Sequence, residues 1–136
     1  MRYTKILIIL LLSFFIVANL FAAITLDFFS AKPANDGILI EWKSINEDGV
    51  SVYTIERSAD NLNNFISIKN INATGNNSYY SYLDENVMIK MTSTVYYYRL
   101  KCIKPDGTYT YTNAITVIHS VSGIKETWGS IKAIFR

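Results

Sequence analysis

TVYYYRLKCIKPDGTYTYTNAITVI, residues 94–118, reads as two β-strands joined by a tight turn. From Thr94 to Ile103, Tyr96, Tyr98, Leu100 and Cys102 alternate with Tyr97, Arg99 and Lys101. That period of two marks a strand with one face buried and one face in water. Pro105-Asp106-Gly107 reverses the chain: proline presets φ, and Asp-Gly tolerates the positive φ of a hairpin turn, which gives Gly107 a structural role. The second strand is expected over Thr108 to Ile118. On this reading Tyr97, Arg99, Lys101, Thr108, Thr110 and Thr112 project together as an amphipathic row, suited to a protein or glycan and equally to plain solvation.

Upstream, the same grammar repeats. Residues 24–31 form a first strand, ended by Lys32-Pro33 and the Asn35-Asp36-Gly37 turn. ILIEWKS (38–44) places Ile38, Ile40 and Trp42 on one side and Leu39, Glu41 and Lys43 on the other. Val52 to Ser58 turns Tyr53 and Ile55 inward and Thr54 and Glu56 outward. Phe65 to Ile71 and Tyr79 to Asp84 are further short strands between polar loops, and Val87-Met88-Ile89 tucks beneath. The expected core is Ile38, Ile40, Trp42, Tyr53, Ile55, Ile68, Tyr80, Tyr82, Tyr98, Leu100, Ile115 and Val117. Seven short strands with turns at this spacing predict an all-β sandwich.

The first 23 residues carry a basic start (Arg2, Lys5), an apolar run from Ile6 to Phe21 and a small-residue end at Ala22-Ala23. These are the parts of a secretory signal peptide. An uncleaved anchor is the alternative, because a run of this length spans a bilayer. Cleavage leaves 113 of the 136 residues, one domain in size, and lowers the net charge from +2 to zero. A neutral domain without a basic cluster lacks the electrostatic footprint of a nucleic-acid binder.

Cys102 is the only cysteine, so no intramolecular disulfide forms, and its side of the strand makes it a small core hydrophobe. His119 is the only histidine, and zinc sites need several Cys and His ligands. Neither a phosphate-cradling glycine loop nor a nucleophile elbow occurs. The reading is therefore no enzyme and no cofactor. In a sandwich of this strand order, Glu47, Asp48, residues 72–77 and Asp106 gather at one end, where carboxylates ligate calcium or hydrogen-bond a sugar. The same residue types are what turns require. The two sequons, Asn72-Ala73-Thr74 and Asn76-Asn77-Ser78, are glycosylation acceptors by pattern alone.

The stretches ILIEWKS, YTIERSADNLNNFISI, YSYLDENV and YYYRLKCIKPDGTYTYTNAITV together resemble the fibronectin type III-like modules of secreted and cell-surface proteins from Bacteroidetes and related bacteria. The resemblance spans residues 24–118 and is most specific at IERS (55–58) and at residues 97–109. It implies a fibronectin type III/immunoglobulin-like sandwich, with Trp42 as the core tryptophan and Tyr98 as a tyrosine-corner residue whose hydroxyl returns to nearby backbone. It also implies scaffolding, adhesion or display at the cell surface, in the periplasm or outside the cell, rather than one chemistry. A carbohydrate-binding module and a subunit of a surface assembly, joined through an edge strand or the tail, are the alternatives.

Residues 119–136 exceed the sandwich. There Ile124, Trp128, Ile131 and Phe135 recur at the spacing of one helical face, with Lys125, Lys132 and Arg136 off it. A short basic amphipathic tail of this kind docks on a partner, addresses export, touches a membrane surface, or packs back on its own domain.

Overall fold

A computed structural model describes residues 24–87 and 94–119. The expectations for the signal segment, for Met88-Ile89 and for Ile124, Trp128, Ile131 and Phe135 lie outside the described residues. All regular structure described is β: β1 (Thr25–Ala34), β2 (Gly37–Asn46), β3 (Val52–Ala59), β4 (Ile66–Asn72), β5 (Tyr79–Asp84), β6 (Thr94–Ile103), β7 (Tyr109–Tyr111) and β8 (Ile115–His119). They form two antiparallel sheets, one in the order β1-β2-β5 and one in the order β4-β3-β6-β7, with β8 also paired to β6.

Two boundaries differ from the sequence reading. β1 does not end at Ala31: it runs through Lys32-Pro33 and stays in register with β2 to Ala34 opposite Gly37. Proline is admissible because β1 is an edge strand of its sheet and needs no donor on its free side. The expected seventh strand is two, so the described strands number eight rather than seven. β7 pairs Tyr111 with Lys101, whereas β8 pairs Ile115 with Tyr98, a register slip of one residue. At the slip, Thr112 takes over the ladder: its N–H donates to the Leu100 carbonyl (3.0 Å) and its Oγ1 accepts from the Leu100 N–H (3.0 Å).

The sheets bury a common core. Ile38, Ile40 and Trp42 from β2, Tyr80 from β5, Tyr53 and Ile55 from β3, Tyr96, Tyr98, Leu100 and Cys102 from β6, and Val117 from β8 are buried together with Val50 and Val87. Ile68, Tyr82 and Ile115 pack against them while partly exposed. Trp42 stacks on Tyr80 (5.0 Å between centroids) and meets Tyr53 edge-on (5.6 Å), so one aromatic cluster ties the two sheets together. Each of these large side chains contributes about 1.5–3 kcal/mol by burial.

The core also holds a charge. Arg57 follows Tyr53 and Ile55 on the inner side of β3, opposite Tyr98. Its guanidinium meets the Asp84 carboxylate, at the end of β5, at 2.6 Å. Tyr98 donates its hydroxyl to the same Asp84 oxygen at 2.9 Å. This corrects the expectation that the Tyr98 hydroxyl returns to nearby backbone: the bond crosses from one sheet to the other. Gly37 is required where β2 passes the end of β5, since a Cβ there would lie 2.2 Å from the Asp84 carbonyl oxygen.

Candidate functional site

Two places were legible as sites, the loop end and the outer face of the long hairpin. The loops do converge, but their carboxylates are already committed. Glu47 is only 3% exposed. It accepts from the Tyr80 hydroxyl at 2.5 Å and from the Gly75 N–H at 2.8 Å, and its own N–H donates to Asn76 Oδ1 at 2.9 Å. The expected ligand contact is thus a buried latch that ties the β2–β3 loop to the β4–β5 loop. Burial, followed by the nearby Glu47 charge, pushes the Tyr53 phenol up.

Asp48 pairs with Lys104 Nζ at 2.8 Å, which brings the β6–β7 turn to the same end. Asp106 accepts from the Thr108 hydroxyl (2.6 Å) and N–H (2.9 Å) and so closes its own turn. Those two bonds hold its carboxyl below the usual carboxylate range. Among the described residues no group of three or more His, Cys, Asp and Glu is placed to hold a metal ion.

The outer face of the five-stranded sheet is different. Tyr97, Arg99 and Lys101 project there together, half-buried, as the alternation on β6 required. The threonines expected beside them do not: Thr110 lies opposite Cys102, on the inward side, and Tyr109 and Tyr111 take the outer positions opposite Ile103 and Lys101. The turn sets this register, through the Lys104 N–H to Thr108 carbonyl bond (2.9 Å) and the Gly107 N–H to Lys104 carbonyl bond (2.9 Å). The one-residue slip after Tyr111 then restores Ile115 and Val117 to the core, so both sets of odd-numbered residues satisfy their own surroundings.

The result is a row of alternating rings and cations. Arg99 lies between Phe65 (4.1 Å to the centroid) and Tyr111 (3.9 Å), and both its Nε and Nη2 reach Glu56 Oε2 at 2.7 Å. Lys101 stands over Tyr109 at 4.1 Å. Tyr109 and Tyr111 meet edge-to-face at 5.4 Å and remain 53% and 44% exposed. A cation on one face of a ring is worth about 0.5–1 kcal/mol at exposed sites. The rings are therefore held by the cations and by each other while about half of each stays exposed. Phe65, Tyr109 and Tyr111 were not singled out from sequence, because aromatic residues in a strand are expected in the core.

A smaller cluster marks the outer face of the other sheet, where Phe28 and Tyr79 lie 6.2 Å apart and the Tyr79 hydroxyl donates to Glu41. That hydrogen bond, with one from Lys32, holds the Glu41 carboxyl below its ordinary value. Comparison with known proteins returns no match: no family model fits the chain, and no curated protein and no solved structure matches it.

Proposed function

We propose that this chain is an exported, non-catalytic binding module of the fibronectin type III-like sandwich class, working at the bacterial cell surface or outside it through the outer face of its five-stranded sheet. The strand orders β1-β2-β5 and β4-β3-β6-β7, with β8 on β6, support the class once β7 and β8 are counted as one interrupted strand. The row Phe65, Arg99, Tyr111, Tyr109 and Lys101 carries the function. Its tyrosines add nothing to the core, yet their orientation is fixed by the cations and by Glu56. Rigid, half-exposed aromatics beside charged groups are the composition of recognition surfaces.

Edge-strand assembly has less support on the β4 side. Lys69 of β4 lies opposite Ile55, on the inward side, with its ammonium 5.9 Å from the Tyr82 ring, and an inward-pointing charge on an edge strand opposes pairing with a second sheet.

The experiment is to follow the protein in its own cells. Tyr111→Asp places a charge on the face without touching the core. We expect a folded protein that leaves the surface or matrix fraction for the medium. Unchanged distribution between fractions would overturn the proposal.

A further inference from the structure

We infer that the β6–β7 surface takes a glycan bearing carboxylate groups, with Tyr109 and Tyr111 stacking on sugar rings and Lys101 receiving the carboxylate. The inference rests on the reading of this face as a binding surface and adds the chemistry of its ligand.

Three observations carry it. The first is the exposure of the two rings. A pyranose presents weakly positive C–H groups on its flat side and hydroxyls around its rim, and the negative face of an aromatic ring attracts the former. Tyr109 and Tyr111 remain 53% and 44% exposed with Lys101 and Arg99 packed over them, so aromatic surface is left for a sugar beside the two cations. The second is that the rings are placed in advance. Arg99 is clamped by Glu56, Phe65 and Tyr111, so ordering the site costs little when a ligand arrives.

The third observation is charge. Arg99 is neutralised by Glu56 and Lys104 by Asp48, but Lys101 forms no ion pair with a carboxylate among the described residues. A local positive charge beside two sugar-stacking rings selects an anion next to a sugar. The chain around it sets the upper limit, because residues 24–119 carry ten acidic and eight basic side chains. That composition lacks the basic excess a dense polyanion such as nucleic acid requires and admits a glycan whose carboxylates are spaced along a neutral backbone.

Glucuronoxylan and its carboxyl-reduced counterpart differ only in that charge, and affinity electrophoresis of the full chain in each is the test. Retardation is expected with glucuronoxylan and weaker retardation, by roughly three- to tenfold in apparent affinity, with the reduced polymer. Lys101→Gln should erase the difference between the two polymers, Lys101→Arg should restore it, and Tyr109→Ala should weaken binding to both. Unchanged denaturation midpoints would show that these variants fold. Equal retardation by both polymers that still depends on Tyr109 would overturn the carboxylate assignment and leave the binding face standing. No retardation by either polymer, in a protein whose Tyr111→Asp variant still leaves the surface fraction, would overturn the glycan and point to a protein partner for the same face.

Discussion

Arg57 Nη1 sits 2.6 Å from Asp84 Oδ2, an ion pair that joins the two sheets from within. Their side chains are 14% and 1% exposed, so both charges have left water. Such a pair adds little net stability over well-packed apolar residues, but removing one partner strands the other. The Asp84 carboxylate also accepts the Tyr98 hydroxyl and, through Oδ1, the Asn86 N–H at 3.2 Å.

Asp84→Ala is therefore expected to cost about 3–5 kcal/mol, read as a lowered urea midpoint. Arg57→Met combined with Asp84→Leu should recover part of that loss, because no charge is left buried. A double variant no better than Asp84→Ala alone would show that the ion pair is not the source of the cost.

Glu47 makes the loop end a structural knot. Glu47→Ala leaves the Tyr80 hydroxyl and the Gly75 N–H without their acceptor, and a loss of about 2–3 kcal/mol is expected. With the carboxylates engaged, millimolar calcium should leave the thermal midpoint unchanged; a clear upward shift would mean the loops open to bind it.

Alkali should unfold the protein early. Burial, and then the Glu47 charge, pushes the Cys102 thiol up to about 12 from an ordinary 9.0. Burial, and then a nearby carboxylate, raises the Tyr53 and Tyr98 phenols in the same direction. A raised pKa means that the folded state holds protons the unfolded chain has released. The stability contributed by Cys102 is thus complete below about pH 9 and lost as pH climbs towards 12. Thermal midpoints from pH 8 to 12 should fall less steeply in Cys102→Ala, and a thiol reagent at pH 7 should label the wild-type chain only after denaturation.

The two kinds of tyrosine should separate cleanly. Tyr98→Phe removes a buried hydrogen bond to a carboxylate and is expected to cost about 1.5–3 kcal/mol, whereas Tyr109→Ala and Tyr111→Ala should each stay within about 1 kcal/mol of wild type. Urea titrations distinguish them, and a large loss from Tyr109→Ala would return that ring to a structural role.

Most of the framework was legible because strands with one wet face announce themselves. ILIEWKS and YYYRLK put Ile38, Ile40, Trp42, Tyr98 and Leu100 in the core by alternation alone. Arg57 was legible too, since counting on from Tyr53 and Ile55 turns it inward, but a charge on the inner side is believable only once Asp84 is seen to meet it. Glu47 and the tyrosine row lay beyond that reach. The first depends on the Tyr80 hydroxyl, thirty-three residues away, and the second on the hairpin register that the turn hydrogen bonds set.

That slip at residues 112–114 works as a change of reading frame within a single strand. Before it, odd-numbered residues meet the outside world; after it, odd-numbered residues meet the core. Removing one residue there would force a choice, turning either Tyr109 and Tyr111 inward or Ile115 and Val117 outward. The extra residue thus lets the outward half of the strand drift in composition without the packing half having to follow, so that the surface can change while the interior stays the same.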